Sequence, residues 1–341
     1  MPVRIQDVAR AAGVSTATVS RALRGLPSVS EDTRQAVTRV ASDLGYVVSR
    51  SASSLASGRT LTVGVVTPYI GRWFFATVIE AVEAELRHSG YDALLVGVGE
   101  PLTGDVLPFR AESLRGRVDG VVVLTAPLSG QELDGVRQLS LPTLFVGAAV
   151  PGAMTVRIDD VDVGRTATEH LLALGHRRIA HIGGDPEQLL NFSAPSDRRA
   201  GWLSALRSEG IEPPPDYAVA SDFTAAGGKR AMERLLALPS PPTGIFAASD
   251  EVAFGAMFAA REAGWRIPTD LSFVGVDDHD LSGLAGLTTV AQPVTEQGTL
   301  AAELILAAIG GDLSRRHEHV LIPTRLMVRS STGPVSVAAA P

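Results

Sequence analysis

The sequence predicts a small all-α head followed by an α/β body made of two doubly wound parallel-sheet lobes. Near the amino terminus, apolar residues recur every three or four positions on both sides of a glycine, which indicates two short helices joined by a tight turn. From residue 62 onward, short apolar runs alternate with amphipathic stretches in two successive series. This alternation is typical of parallel sheets that helices cover on both faces. A chain of 341 residues is long enough for two or three domains.

Residues 4–23 carry the predicted helix pair. Gly13 tolerates the positive φ that a sharp turn often needs, and Ser15 is placed to cap the second helix with its hydroxyl. This second helix is predicted over residues 16–23, with Arg21 facing outward. Such a pair is either a helix-turn-helix, whose second helix enters the DNA major groove, or an αα-corner in an ordinary core, and the spacing alone favours neither.

A third helix is predicted from residue 31 to about 44, capped by Ser30, and its apolar face, which includes Leu44, should close a small core with Tyr46 packed on it. Residues 1–60 hold eight arginines and four carboxylates, a net charge of +4, so the remainder carries −11. A basic head on an acidic body fits a nucleic-acid-binding module attached to a domain with another task.

Several classes of protein are disfavoured. The chain has no cysteine, which excludes disulfides and thiol catalysis and fits a cytoplasmic location. It has no 18-residue apolar run and no export leader, so neither a membrane span nor secretion is predicted. The G-x-G-x-x-G, G-x-S-x-G and H-E-x-x-H patterns are missing, and we therefore expect no catalytic residues, no cofactor and no metal site. His317, Glu318 and His319 are interpreted as an exposed approach to a strand.

The body is expected to contain two series of elements. First-series strands are predicted at 62–67, 93–98, 119–125 and 143–148, with helices near 74–89, 105–116 and 129–139. Second-series strands are predicted at 178–183, 217–222, 244–248 and 272–276, with helices near 161–174, 197–209, 225–237 and 250–264. Segments 288–292 and 320–330, around a helix at 296–310, should return the chain to both lobes, and the tail 333–341 is expected to be disordered. In doubly wound lobes, ligand is expected at the carboxyl ends of the strands.

The stretch DVARAAGVSTATVSRAL, followed by VSEDTRQAV, LGYVVS and SASSLASG, closely resembles the N-terminal region of the LacI family of bacterial transcription regulators. The resemblance continues through VGVV, WFFATVIEAVEAELRHSGYDALL, RVDGVVV, IDDVDVGRTATEHLLALGHRRIAHIGG, DRRAGW, AASDEVAFGAM and SFVGVDD with LTTVAQP after it. It covers nearly the whole chain. It implies a helix-turn-helix head and an effector domain that shares the fold of periplasmic sugar-binding proteins.

The domain organisation implied by this resemblance has three parts. They are a helix-turn-helix DNA-binding domain at 1–48, a hinge segment at 49–60 and a two-lobed effector-binding and dimerisation domain at 61–341. Lobe 1 is expected at about 61–154 and 288–318, and lobe 2 at about 155–287 and 319–332. Composition alone describes the hinge as a flexible Ser-rich linker, whereas the resemblance implies a segment that becomes helical on DNA.

The resemblance also implies which residues contact DNA. Arg21 is the candidate for a guanine contact, and Thr16 and Ala17 occupy variable base-reading positions. Leu55 matches the residue that wedges between base steps in the minor groove, and Ala52 matches the small residue that faces the partner hinge. The expected DNA-binding residues are Thr16, Ala17, Thr18, Ser20, Arg21, Ala52 and Leu55.

Effector binding is assigned in the same way. Arg198, in R-x-A-G-W, matches the family's main effector-binding arginine, and Asp277, at the end of SFVGVD, matches its main effector-binding aspartate. A guanidinium and a carboxylate suit pairs of hydroxyls, although an inter-lobe ion pair or a structural ion pair is the alternative. The expected effector-binding residues are Phe74, Phe75, Arg198, Phe223, Ser249 and Asp277. Gly147 stands where some sugar-binding members carry an acid, so no particular sugar is implied.

These expectations combine into a homodimeric, ligand-responsive repressor of transcription. Its partners would be pseudo-palindromic double-stranded operator DNA and a small effector, namely a sugar, a related polyol or a nucleoside. The sequence leaves inducer and corepressor open. The alternatives are a solute-binding protein of the same fold without DNA function, an enzyme, and an architectural DNA-binding protein that responds to no ligand.

Overall fold

A computed structural model of the chain describes residues 3–23, 28–46, 58–98, 109–125, 128–184, 193–312, 314 and 318–335. The chain forms two compact units, Met1–Leu61 and Thr62–Pro341. Most of the predicted hinge segment, including Ala52 and Leu55, lies outside the described residues.

The amino-terminal unit contains three helices, α1 (Ile5–Ala12), α2 (Thr16–Leu23) and α3 (Glu31–Asp43). The buried members of their shared core are Val8, Ala9, Val19, Ala22, Val29, Val37 and Ala41. Tyr46 packs against this core, as the sequence predicts. Leu44 is 39% exposed, and its predicted burial is wrong because α3 ends at Asp43 and Leu44 forms the helix cap.

Local hydrogen bonds explain where these helices begin and end. Gly13 adopts φ 68° at the end of α1, a left-handed conformation that glycine enters without steric cost. Ser15 Oγ accepts a hydrogen bond from the backbone N–H of Thr18 at 3.0 Å. Ser30 Oγ accepts one from the N–H of Thr33 at 3.4 Å. Both predicted serine caps are therefore confirmed.

The second unit contains two six-stranded sheets. The strands of the first sheet are β1 (Thr62–Thr67), β2 (Asp92–Gly97), β3 (Gly120–Leu124), β4 (Thr143–Val146), β5 (Met154–Arg157) and β11 (His319–Leu321). The strands of the second sheet are β6 (Ile179–Gly183), β7 (Ala218–Ala220), β8 (Gly244–Ala247), β9 (Ser272–Asp277), β10 (Thr288–Ala291) and β12 (Arg325–Met327). Their orders are β11-β5-β4-β3-β1-β2 and β12-β10-β9-β8-β6-β7. Among the described residues, the neighbouring strands run parallel except β10 with β12.

The helices of this unit alternate with the strands. They are α4 (Trp73–His88), α5 (Gly130–Gln138), α6 (Asp160–Ala173), α7 (Ala194–Ser208), α8 (Ala225–Leu236), α9 (Asp250–Glu262), α10 (Ser282–Ala285) and α11 (Val294–Ile309). The predicted fold class is confirmed. The helix predicted at 105–116 is wrong over its described part, which contains only the 3₁₀ turn Ala111–Leu114. Tertiary contacts decide this segment, because the N–H of Phe109 donates to Glu132 Oε1 at 2.7 Å.

Strand pairing places the lobe boundaries differently from the sequence expectation. Strand β5 was not predicted, and it lies between β4 and β11, so the first lobe extends through Arg157. Strand β10, expected in lobe 1, pairs with β9 in the second sheet. Strand β11, expected in lobe 2, pairs with β5 in the first. Strands of three or four residues have too little local periodicity to reveal their partners, which are set by long-range pairing.

The end of the described chain is ordered against the second lobe. The N–H of Val335 donates to the carbonyl of Leu174 at 3.0 Å, and the N–H of Gly333 donates to Ser272 Oγ at 3.1 Å. The expectation of a disordered tail is therefore wrong for residues 333–335. Within the described ranges, no helix is both long enough and apolar enough to span a bilayer.

Candidate DNA-binding and effector sites

Helix α2 presents the predicted base-reading positions to solvent. Thr16, Ala17 and Arg21 are exposed, and Thr18 and Ser20 are half-buried. Because Val19 and Ala22 are buried in the head core, the opposite face of this helix is left open. The exposed guanidinium of Arg21 can donate two hydrogen bonds to one guanine, and the methyl group of Ala17 is suited to contact with the methyl group of a thymine.

Arg198 lies on α7 with only 7% of its surface exposed. Its Nε donates to Asp160 Oδ1 at 2.7 Å, and its Nη1 donates to the backbone carbonyl of Ala248, which directly follows β8. These two bonds hold the guanidinium in place. Among the described residues they leave the Nη2 hydrogens without a protein acceptor, so these donors are available for a ligand.

Two glycines bring α6 and α7 close enough to make the Arg198–Asp160 pair. A Cβ on Gly164 would lie 2.1 Å from the carbonyl oxygen of Arg198. A Cβ on Gly201 would lie 2.1 Å from the carbonyl oxygen of Val161. Only glycine permits these backbone approaches. The G in DVGR and the G in RAGW therefore set the position of the arginine as well as the packing of the helices.

Asp277 is the last residue of β9 and is 8% exposed. Its φ of 121° is unfavourable for a residue with a side chain, and such strain is typical of functional sites. Oδ1 accepts a hydrogen bond from Gln292 Nε2 at 2.6 Å. Burial raises the pKa of Asp277 well above its ordinary value, the positive charge of Arg198 opposes this rise, and the negative charge of Asp250 adds to it.

Ser249 caps α9, where its Oγ accepts a hydrogen bond from the N–H of Val252 at 3.3 Å. Its hydroxyl hydrogen remains available to a ligand oxygen. Ser249 follows Ala248, whose carbonyl binds Arg198, and β8 lies beside β9, which ends in Asp277. The structure thus brings Arg198, Ser249 and Asp277 to the carboxyl ends of neighbouring parallel strands.

Two buried carboxylates of this region were not singled out by sequence reasoning. Asp160 is the partner of Arg198. Burial raises the pKa of Asp160 above its ordinary value, and the charge and hydrogen bond of Arg198 offset only part of this rise. Asp250 accepts hydrogen bonds from the N–H of His279 at 2.9 Å, from Ser282 Oγ at 2.6 Å and from Thr289 Oγ1 at 2.7 Å. Each follows a helix-capping residue in the motifs IDD and SDE, a signal that could have indicated both.

The three predicted aromatic contacts differ in their surroundings. Phe223 has φ 56°, and a Cβ on Gly184 would lie 2.4 Å from its ring. Phe75 is 9% exposed and packs edge-to-face against Phe74 and Tyr69, with ring centroids 5.3 and 5.6 Å apart. Phe75 therefore belongs to the core, whereas the half-buried rings of Phe74 and Phe223 keep surface that a ligand could cover.

A cavity of about 890 Å³ opens beside Asp277. Trp73 and Gln292 also line it, together with residues of α11 and β12. Of the six predicted effector residues, all of which the structure describes, Asp277 alone lines this cavity. The volume is within the range of small-molecule sites.

The local structure explains why Gly147 occupies the position at which some sugar-binding members of the family carry an acid. This residue follows β4 with φ 73°, and a Cβ here would lie 2.3 Å from Thr125 Cγ2. An acid is therefore not accommodated at this position without movement of the neighbouring strand end. Thr125 itself is 5% exposed at the carboxyl end of β3, and its Oγ1 bonds to no described residue. This hydroxyl is a further ligand-contact candidate that sequence reasoning missed.

No group of three or more possible metal ligands occurs among the residues that the structure describes. His317 lies outside them, and Nδ1 of His319 is 2.9 Å from Thr155 Oγ1 in the first sheet.

Comparison with known proteins bears on both units. Residues 4–49 match the family model for bacterial regulatory proteins of the lacI family, and residues 168–332 match a periplasmic binding protein-like domain. The HTH-type transcriptional repressor CytR of Escherichia coli strain K12 is 33% identical over 338 residues, which cover 96% of each protein. Catabolite control protein A of Priestia megaterium is 30% identical over 336 residues, 97% of this chain and 100% of that protein.

Solved structures extend the likeness. A lac repressor dimer bound to operator and the anti-inducer ONPF matches with a TM-score of 0.85 at 28% identity, covering 98% of this chain and 100% of that one. A complex of the transcriptional regulator CelR with cellobiose matches with a TM-score of 0.70 at 31% identity, covering 96% and 99%. The chain therefore belongs to the lacI family of bacterial regulatory proteins and is a ligand-responsive, sequence-specific DNA-binding regulator of transcription, not an enzyme.

Proposed function

We propose that this regulator is a cytoplasmic, homodimeric repressor whose affinity for a pseudo-palindromic operator changes when a sugar, related polyol or nucleoside binds between its lobes. The observation that carries the proposal is the convergence of Arg198, Ser249 and Asp277 at neighbouring strand ends. Solved relatives support the ligand class, since one is a complex with cellobiose and one, from Enterococcus faecium, has bound ribose. The operator-bound dimer of lac repressor supports the assembly.

The effector site is proposed to recognise hydroxyl groups. The remaining N–H donors of Arg198 would bind hydroxyl oxygens, and the Asp277 carboxylate would accept hydroxyl hydrogens. The rings of Phe74 and Phe223 would cover the apolar face of the solute. A hydroxyl donor also relieves the cost of burying a charged Asp277, so binding should lower the pKa of that carboxyl.

On DNA, the paired heads would read two half-sites whose spacing is set by the dimer. Arg21 is proposed to bind a guanine, and the hinge segments, with Ala52 facing the partner hinge and Leu55 as the wedge, to enter the minor groove between them. Effector binding would change the lobe orientation and with it the order of the hinges. A shift from nearly full to nearly empty operator requires roughly 5 kcal/mol of discrimination between the two states.

The test uses the full-length chain. Operator DNA is selected from a random duplex pool, sugars and nucleosides are screened by thermal shift, and operator affinity is measured by fluorescence anisotropy with and without each hit. Arg198→Ala should keep the operator affinity and lose the effector response. Arg199→Ala, an exposed neighbour on the same helix, is the matched control and should respond normally. Equal responses from the two variants would place the effector elsewhere.

A further inference from the structure

Two consecutive residues of the first lobe contact two different loops of the second. Arg72 precedes α4, and its Nη1 donates to the backbone carbonyl of Asp222 at 3.1 Å. Trp73 begins α4, and its ring lies against the imidazole of His279 with centroids 4.8 Å apart. These loops follow β7 and β9 respectively.

The Arg72 contact is supported at both ends. The guanidinium carbon lies 3.6 Å from the centroid of the Tyr69 ring, which holds the side chain by a cation–π interaction. On the other side, the Asp222 carboxylate accepts hydrogen bonds from the N–H of Thr224 at 3.1 Å and from Arg230 Nη2 at 2.9 Å. The carbonyl that Arg72 binds therefore belongs to a residue already fixed within its own loop.

The Trp73 contact is supported in the same way. His279 also packs edge-to-face against Phe254, with centroids 5.4 Å apart. Its backbone N–H donates to the buried Asp250. The imidazole of His279 therefore lies between Trp73 of the first lobe and Phe254 of the second, on a loop that a hydrogen bond to the buried Asp250 holds in place.

Both contacts fall beside strained backbone that carries proposed effector residues. Phe223, directly after Asp222, has φ 56°. Asp277 and Asp278, just before His279, have φ 121° and 58°. Residues with side chains keep such conformations only where their surroundings hold them.

We propose that Arg72 and Trp73 form a clasp that positions both effector loops, so that closure of the lobes completes the effector site. Positioning by the first lobe makes the two events reciprocal: closure strengthens effector binding, and bound effector stabilises closure by the same free energy. This inference rests on the proposed function, because it assumes that Phe223 and Asp277 contact the effector.

The test is hydrogen–deuterium exchange of the full-length protein without ligand, read in the segments 219–224 and 276–282. Arg72→Ala and Trp73→Ala should each raise exchange in both segments by about fivefold, the change that loss of roughly one net hydrogen bond or one aromatic pair produces in a local opening equilibrium. Trp73→Phe keeps a ring against His279 and should restore most of the protection. Arg87→Ala, at the exposed far end of α4, is the control and should change neither segment.

The two-segment readout separates a clasp from a local contact. If each variant changes only the segment that it touches, or neither, the clasp is wrong, even if the protein still releases operator in response to a sugar. If exchange rises as predicted while no effector changes operator affinity, the clasp stands as a lobe contact and the proposed function fails.

Discussion

Substitution of Gly201 by alanine tests the link between helix packing and the effector site. The added Cβ would lie 2.1 Å from the carbonyl oxygen of Val161 and 2.7 Å from the nitrogen of Arg165. Ordinary contact begins near 3.4 Å, so α7 must move away from α6 by about 1.3 Å at this point. An equal lengthening of the 2.7 Å bond between Arg198 Nε and Asp160 Oδ1 would break it.

The expected loss of stability is modest, but the loss of function is large. Overpacking of this kind costs about 1–3 kcal/mol, and the higher helix propensity of alanine returns about 1 kcal/mol. The net cost is therefore about 0–2 kcal/mol, and at about 2–4 °C per kcal/mol for a domain of this size the fall in Tm is at most about 8 °C. Because the head is a separate compact unit, operator affinity should be retained while the effector response is lost.

The assays are differential scanning calorimetry and operator anisotropy with the effector identified by screening. Gly130→Ala is the control, since Gly130 also lies in a helix, has negative φ and has no atom within 4 Å of the added Cβ. It should leave both Tm and effector response near those of the parent. A normal effector response in Gly201→Ala, whatever its Tm, would refute the role of this helix contact in placing Arg198.

Three further predictions concern charge. Asp277→Asn keeps the oxygen that accepts the hydrogen bond from Gln292. Because burial raises the pKa of Asp277, ionisation of this carboxyl destabilises the fold as pH rises. The Tm of the variant relative to the parent should therefore increase from pH 5 to pH 9, and a constant difference would contradict this. His176 is 2% exposed, with Nδ1 3.0 Å from Thr243 Oγ1 and Nε2 3.1 Å from the carbonyl oxygen of Gly333, and burial lowers the pKa of its imidazole. Stability present above the ordinary histidine pKa is therefore lost as pH falls below it, so the decline in Tm from pH 7 to pH 5 should be smaller in His176→Gln, and an equal decline would contradict this role of His176. Arg21→Ala should weaken specific operator binding by roughly 10- to 100-fold in anisotropy. Arg39 is exposed on α3 and is the comparison, because an arginine that contacts only the DNA backbone should, when replaced by alanine, weaken specific and non-specific binding alike. Equal behaviour of the two variants would exclude α2 as the reading helix.

Local signals predicted much of the architecture. The turn at Gly13 and the caps at Ser15 and Ser30 depend on bonds between residues at most five positions apart, and all three are found. The alternation of strands and helices is equally local, since an apolar run or a 3.6-residue period is visible within a short window. The carboxyl ends of parallel strands meet at one edge of a sheet. The proximity of Arg198 to Asp277 could therefore be predicted, because each follows or ends a strand and each lies in a family motif.

Other features were decided only by the tertiary structure. Met154–Arg157 is a strand because it pairs with β4 on one side and with β11, more than 160 residues away, on the other. The choice of Asp160 as the partner of Arg198 comes from two glycines that let α6 and α7 touch. The contacts of Arg72 and Trp73 join segments about 150 and 200 residues apart. Most helices, their caps and the longer apolar strands were predictable from the sequence, because helix hydrogen bonds and caps join residues a few positions apart and an apolar run is visible in a short window. Strand pairing, buried ion pairs and contacts between lobes depend on which distant segments pack together and exclude water, and a short stretch of sequence does not indicate which segments these are.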